Sequence, residues 1–253
     1  QALTEFWEAM STPVEQEKIY QALMSGELKV EGQFITGSNY TFLGQVIYED
    51  LTLDVVYKPS RGELPLWDFP THSLGKREVA AYVLSEALGW GLVPITVFRK
   101  DGPLGPGSVQ LYVEHDTDEH YFTFSEATKQ KLRPVVLFDL LANNADRKGG
   151  HILEDAQGKI WLIDHGICFH EEDKLRTVVW DFAGEPIPED LLNDIQDLLA
   201  RLEDTSCPTY QELACYLDPG EMTALKRRAR RLLREKTFPS PGSRRRPYPW
   251  PPV

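Results

Sequence analysis

Two aspartates flank a short stretch of the chain that has the pattern of a β-hairpin. Asp146 lies in "NNADRKGGH", directly after an apolar run with helical spacing, and Asp164 ends the run "IWLID". The runs "HILED" and "IWLID" are separated by the turn sequence "AQGK", which favours a two-stranded hairpin. Because a hairpin returns its two ends to one place, we expect Asp146, His151 and Asp164 to lie close together.

Phosphoryl transfer is the chemistry that this set of side chains suits best. One carboxylate can orient a hydroxyl group, and another can hold a divalent metal ion on the phosphates. The alternative is a transition-metal site of a hydrolase, made of His151, Asp164, His165 and His170. Their spacing matches no zinc signature, and this alternative leaves the features upstream of the hairpin unexplained.

The upstream half of the chain contains a candidate phosphate-binding pair. Lys58 ends the apolar run "LTLDVVYKP", where a lysine is costly unless it is paired or lies near an anion. Glu78 lies beside the apolar stripe of the next predicted helix, and a strand Lys held by a helix Glu is how nucleotide kinases bind phosphates. The alternative is a surface strand end with an unrelated acid. The turn at Gly37, Ser38 and Asn39 either cradles phosphate oxygens or is an ordinary hairpin turn.

The order of the predicted elements indicates an α+β fold of two lobes with a cleft between them. The first part combines strands with two helices, and the second part combines helices with the hairpin. Helices are predicted at about 13–25, 74–90, 131–144, 187–202 and 219–236, and strands at 27–35, 40–49, 51–59, 93–99 and 107–115. We expect an N-lobe at 1–115, a C-lobe at 116–236 and a Pro/Arg-rich tail, extended or mobile, at 237–253.

Charge is distributed very unevenly along the chain, whose net charge is -12. Residues 226–253 carry ten Lys or Arg and one acid, whereas residues 1–225 carry 17 basic and 38 acidic residues. An acidic body is atypical of nucleic-acid-binding proteins, so no nucleic-acid partner is expected. The basic end either packs on the protein's own acidic surface or makes a peripheral contact with anionic lipid or RNA.

Three further patterns in the sequence concern the compartment of the cell in which the protein is expected. No apolar run reaches the length of a membrane-spanning helix, and the first residues lack the pattern of a signal peptide. The three cysteines are odd in number and lack metal-type spacing. Together these patterns predict a cytoplasmic protein without a transmembrane segment.

The segments "NADRKGGH" and "LIDHG" resemble motifs of the phosphatidylinositol 3-/4-kinase-like superfamily, including its small bacterial members. That superfamily has a D-R-x-x-x-N catalytic loop, a hairpin and then I-D-x-G, in the same order and with the same spacing. The resemblance covers residues 30–200 and is sharp over 137–169. It implies a protein-kinase-like fold with a β-rich N-lobe and a mainly helical C-lobe that carries the catalytic hairpin.

The resemblance also implies roles for individual residues. Asp146, with its neighbour Arg147, is implied to be catalytic and to face the acceptor hydroxyl, and Asp164 is implied to bind the metal. Lys58 is implied to bind the nucleotide phosphates with Glu78 as its partner. The hinge on which adenine rests is implied to be formed by backbone groups of Gln110, Leu111, Tyr112 and Val113.

Two departures from the superfamily pattern affect the metal and phosphate sites. His151 stands where the superfamily usually has a metal-binding Asn, and an imidazole is a softer ligand than an amide oxygen. We therefore expect Mg²⁺ or Mn²⁺ as the cofactor, with a preference for Mn²⁺. Lys148 replaces the His that often follows D-R. In the segment after Gly166, Lys174 and Arg176 are candidates for contact with an anionic acceptor.

The sequence thus predicts an ATP-dependent kinase that transfers the γ-phosphate to a hydroxyl acceptor. A protein Ser/Thr side chain or a soluble polyol is favoured slightly over an inositol lipid, because the mixed charges of "HEEDKLR" do not demand a lipid. Two alternatives stay open. One is a catalytically silent nucleotide-binding scaffold, favoured by His151, and the other is a nucleotidyl transferase.

Overall fold

The computed structural model describes residues 13–33, 40–242 and 246–253. The chain forms two compact units, Gln1–Gly75 with Ile95–Tyr112, and Lys76–Pro94 with Val113–Val253. The boundaries that the sequence suggested, at residues 115 and 236, stay a prediction.

The first unit is built on a five-stranded antiparallel sheet. Helix α1 spans Pro13–Ser25, as predicted, whereas the residue expected to cap it, Thr12, lies outside the described residues. The strands are β1 (Glu27–Gln33), β2 (Phe42–Tyr48), β3 (Leu51–Pro59), β4 (Thr96–Arg99) and β5 (Gly107–Leu111). Their order is β1-β2-β3-β5-β4. Strand β4 begins later than predicted, after Pro94, which has no N–H to donate to a neighbouring strand.

Strand β3 lies at the centre of this sheet, between β2 and β5. Leu53, Val55 and Tyr57 alternate with more exposed residues and are buried, as the two-residue period of a half-buried strand requires. Lys58 is therefore on a central strand, as predicted, and its backbone is in register with Ser108 of β5.

The second unit is mainly helical and contains one hairpin. Helix α2 begins in the last residues of the first unit's range and continues into the second. The elements are α2 (Leu74–Leu88), α3 (Glu126–Gln130), α4 (Arg133–Ala142), β6 (Ile152–Glu154), β7 (Ile160–Leu162), α5 (Glu189–Glu203), α6 (Pro208–Leu213) and α7 (Pro219–Glu235). The hairpin β6–β7 is antiparallel and joins the two runs that the sequence predicted. The short helices α3 and α6 were not predicted.

Local interactions explain why the hairpin turns where it does. The Asp155 carboxylate accepts hydrogen bonds from the N–H groups of Gln157 (3.0 Å) and Lys159 (2.9 Å) and from the Trp161 indole (2.8 Å). Gly158 has φ 75°, a backbone conformation that glycine adopts without a steric penalty. The turn is therefore set by the residues within it.

The basic helix α7 packs on the protein itself. Its N-terminus has a capping box between Asp218 and Glu221. The Arg228 guanidinium donates to the Leu141 carbonyl at 2.7 Å, and burial lowers the pKa of Arg228 to about 10. Of the alternatives for the basic end, the structure thus supports packing in cis for this helix.

The fold class is α+β, as predicted, with an antiparallel sheet in one unit and mostly helices in the other. Across the described ranges, no helix combines the length and the apolar character that spanning a membrane requires.

Candidate active site

The segment that carries Asp146 begins where helix α4 ends. We call residues 143–151 the Asp146 loop. Asn143 ends the helix with left-handed backbone (φ 52°). Its side-chain amide donates to the carbonyls of His170 (2.8 Å) and Glu172 (2.6 Å), and its oxygen accepts from the Lys174 N–H (2.9 Å). The start of the loop is therefore tied to the segment that follows the hairpin.

Arg147 anchors the loop from inside the protein. Its side chain is fully buried, and its Nε donates to both carboxylate oxygens of Asp139 at 3.0 and 3.1 Å. Asp139 also accepts from Asn144 (3.2 Å) and Thr177 (3.3 Å). The sequence grouped Arg147 with Asp146 as catalytic, but this guanidinium lies in the interior, where it positions the loop rather than facing a substrate.

The same guanidinium reaches both ends of the hairpin. Its Nη1 donates to the backbone carbonyls of His151 (3.1 Å) and Ile163 (2.8 Å), the residue before Asp164. Arg147 itself follows Asp146 in the chain. One buried cation thus fixes the backbone beside all three predicted site residues.

A buried histidine extends this network to helix α2. Nη2 of Arg147 lies 2.8 Å from Nε2 of His165. Because a guanidinium only donates, the His165 Nε2 accepts, and the ring proton is therefore on Nδ1, 3.7 Å from a Glu78 carboxylate oxygen. The same Glu78 oxygen accepts the His165 N–H at 2.8 Å. Glu78 thus holds the backbone directly after Asp164, and its pairing with Lys58 stays a prediction.

Asp146 lies in a partly buried environment. Its N–H donates to the Asn144 side chain at 2.9 Å, and the Lys148 ammonium is 3.5 Å from its carboxylate. Burial raises the pKa of Asp146 to about 6, Lys148 opposes this shift, and the charge of Asp164 adds to it. An acid with a pKa near neutrality can accept and release a proton under physiological conditions.

Asp164 and His151 lie next to each other. The His151 Nε2 is 3.3 Å from the Asp164 carboxylate, and the two side chains are 15% and 50% exposed. Asp164 has φ 61°, a left-handed conformation that is uncommon outside glycine and that tends to occur at functional sites. The hairpin therefore brings Asp146, His151 and Asp164 into one region, as predicted.

The pair His151–Asp164 fits two ligand positions of one divalent ion. Adjacent ligands of an octahedral Mg²⁺, each at about 2.1 Å, are about 3.0 Å apart, close to the observed separation. The residues described in the structure contain no cluster of three or more His, Cys, Asp or Glu that could hold a metal. An ion here would therefore need water or phosphate oxygens as further ligands, as Mg²⁺ commonly has.

The transition-metal alternative does not fit the positions of its four residues. His165 is fully buried, and its Nε2 is already the acceptor of a hydrogen bond from Arg147. The His170 ring accepts the Glu172 N–H at 3.0 Å. The sequence analysis assigned no role to Asp139 or to the network around Arg147, and it named His165 only as a possible metal ligand. A lone carboxylate in the apolar helix "RPVVLFDLLA" was the available signal for Asp139.

The two candidate acceptor-binding residues differ in their surroundings. Lys174 has a side chain only 12% exposed, 3.8 Å from Glu172. Arg176 is exposed, its charge lowers the pKa of Asp146, and its N–H donates to the Asn144 carbonyl at 2.9 Å. Its backbone also pairs with the Asp146 loop, since the Arg147 N–H donates to the Arg176 carbonyl at 3.0 Å.

The candidate nucleotide-binding residues in the first unit are only partly described. Gly37, Ser38 and Asn39 lie outside the described residues. In the predicted hinge, the Leu111 N–H donates to the Ile95 carbonyl and the Tyr112 N–H to the Asp54 carbonyl, both at 2.9 Å. The Gln110 side chain is buried and donates to Thr96. The N–H groups of Leu111 and Tyr112 are therefore used by hydrogen bonds within the sheet. Val113, the last of the four, belongs to the second unit.

Two relatives were found by sequence. Protein Rv2133c of Mycobacterium tuberculosis is 38% identical over an alignment of 267 positions, which covers 92% of this chain and 94% of that protein. Phosphatidylinositol 4-kinase gamma 4 of Arabidopsis thaliana is 31% identical over 129 residues, 41% of this chain and 23% of that protein. No protein-family profile matches the chain.

Three solved structures share the fold at low sequence identity. The Golgi casein kinase with Mn/ADP bound has a TM-score of 0.59 at 14% identity, covering 88% of this chain and 76% of that one. Hydra Fam20 with sugar has a TM-score of 0.52 at 16% identity, covering 89% and 90%. The Helicobacter pylori proinflammatory kinase CtkA has a TM-score of 0.50 at 11% identity, covering 85% and 94%. The chain therefore has a protein-kinase-like fold.

Proposed function

We propose that this chain, which belongs to the family of Protein Rv2133c of Mycobacterium tuberculosis, is an ATP-dependent kinase that transfers the γ-phosphate to a hydroxyl acceptor. One observation carries the proposal. Within a protein-kinase-like fold, the hairpin brings together a carboxyl group with a pKa of about 6, Asp146, and a His–carboxylate pair suited to a divalent ion.

Asp146 is the proposed base. In its ionised form the carboxylate accepts a hydrogen bond from the acceptor hydroxyl. It takes the hydroxyl proton as the bond between that oxygen and the γ-phosphorus forms, while the bond from the γ-phosphorus to the β–γ bridging oxygen breaks and ADP leaves. Its partial burial favours this role, because a pKa of about 6 lies close to physiological pH. Lys148, 3.5 Å away, supplies positive charge next to the phosphoryl group that is transferred.

Asp164 and His151 are the proposed metal ligands. A divalent ion bound there would neutralise charge on the nucleotide phosphates. The residues fit either Mg²⁺ or Mn²⁺, and the imidazole of His151 favours Mn²⁺ more than an amide oxygen would. The Golgi casein kinase, which shares the fold, is described with Mn and ADP bound, and this is consistent with that cofactor set.

The residues proposed to bind the nucleotide are those that the resemblance to phosphatidylinositol 3-/4-kinase-like enzymes implied. Lys58, on the central strand β3, is proposed to bind the phosphates, and Gly37, Ser38 and Asn39 are proposed to contribute to the same binding. Glu78 is proposed as the partner of Lys58, in addition to its bond with the His165 backbone. Backbone groups of Gln110, Leu111, Tyr112 and Val113 are proposed to contact adenine, apart from the N–H groups of Leu111 and Tyr112, which donate to Ile95 and Asp54.

For the acceptor we retain a protein Ser/Thr side chain or a soluble polyol ahead of an inositol lipid. Arg176, exposed and near Asp146, favours an acceptor that carries negative charge close to its hydroxyl. Lys174 is a weaker candidate, because its side chain is largely buried beside Glu172. The class of molecule that becomes labelled tests which of these acceptors is used.

A nucleotide-binding scaffold without turnover is the second candidate. The observation that favours it is His151, which occupies the position where related kinases usually have a metal-binding Asn. In that case nucleotide would stabilise the protein, yet no phosphate would be transferred with any metal.

Transfer of label from γ-labelled ATP tests the proposal. The protein is incubated with Mg²⁺ or Mn²⁺ and a cell extract, and the products are separated into protein, lipid and small-molecule fractions. We expect label in one fraction and a loss of at least about 100-fold in Asp146→Asn, since a positioned base typically contributes that much. Asp197→Asn, an exposed carboxylate on α5, is the matched control.

Three outcomes separate the candidates. Label that remains in ATP with both metals, together with nucleotide-dependent thermal stabilisation, would support the scaffold. In a parallel reaction with α-labelled ATP, label transferred to the acceptor would identify a nucleotidyl transferase. Label lost equally in Asp146→Asn and Asp197→Asn would remove Asp146 from the site.

A further inference from the structure

The end of the chain packs against the Asp146 loop. We call residues 246–253 the C-terminal segment. The Pro252 carbonyl accepts the Gly149 N–H at 2.8 Å, and the Pro247 carbonyl accepts the Thr177 N–H at 3.0 Å. The segment is thus fixed near both of its ends by backbone groups of the second unit, although its sequence predicted an extended or mobile tail.

Gly149 is enclosed on two sides. Its carbonyl accepts the Tyr121 N–H at 3.2 Å, while its own N–H binds Pro252. A Cβ added at Gly149 would lie 3.0 Å from the Phe122 ring and 3.5 Å from the Pro252 carbonyl. Gly149 lies between Asp146 and His151 in the chain, so the C-terminal segment bounds the part of the loop that connects these two residues.

The second attachment point belongs to the network that anchors the loop. Thr177 donates through its hydroxyl to Asp139 at 3.3 Å. On either side of Thr177, the backbones of Arg176 and Val178 pair with Arg147 at 3.0 and 3.2 Å. The C-terminal segment therefore lies on the outer side of the short backbone pairing that holds Arg147.

The segment leaves the candidate site open. The side chains of Asp146 and Asp164 remain 28% and 50% exposed although the segment is docked. A segment that blocked the site would cover at least one of these carboxylates. Its contacts are instead with the backbone that carries them, and this favours support of the loop over inhibition.

We propose that the C-terminal segment is a strap, bound in cis, that holds the Asp146 loop in the conformation used for turnover. Its residues position the loop and are not themselves catalytic. The binding of the strap is supported by its hydrogen bonds with Gly149 and Thr177. Its effect on turnover rests on the proposed kinase function. A small displacement of a catalytic group is enough to lower turnover substantially.

Two nested truncations of the full chain test the strap. Deletion of residues 251–253 removes the Pro252 carbonyl but retains Pro247, and deletion of residues 243–253 removes both attachments. Val253→Ala is the matched control, because it changes the half-exposed last side chain and leaves both carbonyls in place. Amide exchange at Gly149 and Thr177 is measured by NMR, and kcat and the KM for ATP are measured alongside.

We expect exchange at Gly149 to become about fivefold to tenfold faster in the shorter deletion, as for the loss of one hydrogen bond, with Thr177 unchanged. In the longer deletion both amides should exchange faster. We expect kcat to fall about tenfold or more while the KM for ATP stays within about twofold. A synthetic peptide of residues 246–253, added in excess, should restore both exchange protection and kcat.

Each contrary outcome is distinguishable. Unchanged exchange at Gly149 in both deletions would show that the strap does not bind. Lost protection with unchanged kcat would overturn its positioning role, and a higher kcat would mean that the segment inhibits. If the full chain itself shows no turnover, the kinase function fails, and the exchange measurement alone still decides whether the strap binds.

Discussion

The buried pair of Asp139 and Arg147 gives a quantitative test of the network beneath the site. Both side chains are fully buried, so in the folded protein the Arg147 charge is compensated by protein groups rather than by bulk water. Asp139→Asn keeps the shape of the side chain but removes the negative charge. Leaving one member of a buried ion pair without its partner costs about 3–5 kcal/mol. For a chain of this size that corresponds to a fall of roughly 10 °C in the midpoint of thermal unfolding.

Thermal unfolding followed by circular dichroism measures this loss. Glu203→Gln is the control, because it removes the acid of the pair Arg230–Glu203, whose side chains are 53% and 51% exposed. An exposed pair contributes about 0–1 kcal/mol, so this variant should unfold close to the parent midpoint. Equal shifts in Asp139→Asn and Glu203→Gln would refute the conclusion that the Asp139–Arg147 pair is buried and coupled.

A double variant separates stability from positioning. Asp139→Leu combined with Arg147→Met removes both charges and replaces them with apolar side chains, which is often neutral or better for stability. We expect its unfolding midpoint to recover only part of the loss seen in Asp139→Asn, because the buried groups that bond to Asp139 and Arg147 lose these partners. Turnover should nevertheless stay low, because the carbonyls of His151 and Ile163 lose the donor that fixes them. Full recovery of turnover would contradict the positioning role of Arg147.

Two predictions concern the chemistry of the site. Because the ionised form of Asp146 is the proposed base and its pKa is about 6, kcat/KM should rise as the pH increases through that value and then level off. Lys148→Gln removes a cation that lowers this pKa, so the acidic limb of the profile should move to higher pH; an unmoved limb would exclude Asp146 as its source. His151→Asn replaces an imidazole with a harder amide oxygen, and the ratio of kcat with Mn²⁺ to kcat with Mg²⁺ should fall by about threefold or more. A ratio unchanged within about twofold would remove His151 from the metal site.

Elements with strong local signals were predictable from the sequence. Helix α1 has the predicted bounds, because Pro13 suits a helix start and Gly26 follows its end. At Gly26 an added Cβ would lie 2.6 Å from a Val46 methyl carbon, so a larger residue would not fit. The hairpin was predictable for the same reason, since its turn residues determine its conformation. The proximity of Asp146, His151 and Asp164 followed directly from the hairpin.

What could not be predicted depends on contacts between residues that are distant in the chain. The contact of the Glu78 carboxylate with the backbone of His165, 87 positions later, had no signal in the sequence, and the pairing of Glu78 with Lys58 stays a prediction. Arg147 has the charge and motif position of a catalytic residue. Only its own burial, against the buried carboxylate of Asp139, shows that its side chain points inward. The C-terminal segment has the composition of a mobile tail, and backbone hydrogen bonds, which carry no side-chain signature, dock it.

One buried network therefore relates the two carboxylates at the ends of the hairpin. From Arg147 it runs on one side to the loop that carries Asp146, and on the other through His165 to Glu78, which holds the backbone after Asp164. The left-handed conformation of Asp164 is unfavourable by itself and persists only where its surroundings impose it. Because the same guanidinium fixes the carbonyl before Asp164 and the loop after Asp146, a change at this guanidinium alters both positions together. The buried network around Arg147 thus holds the backbone beside both carboxylates, which are the proposed base and the proposed metal ligand.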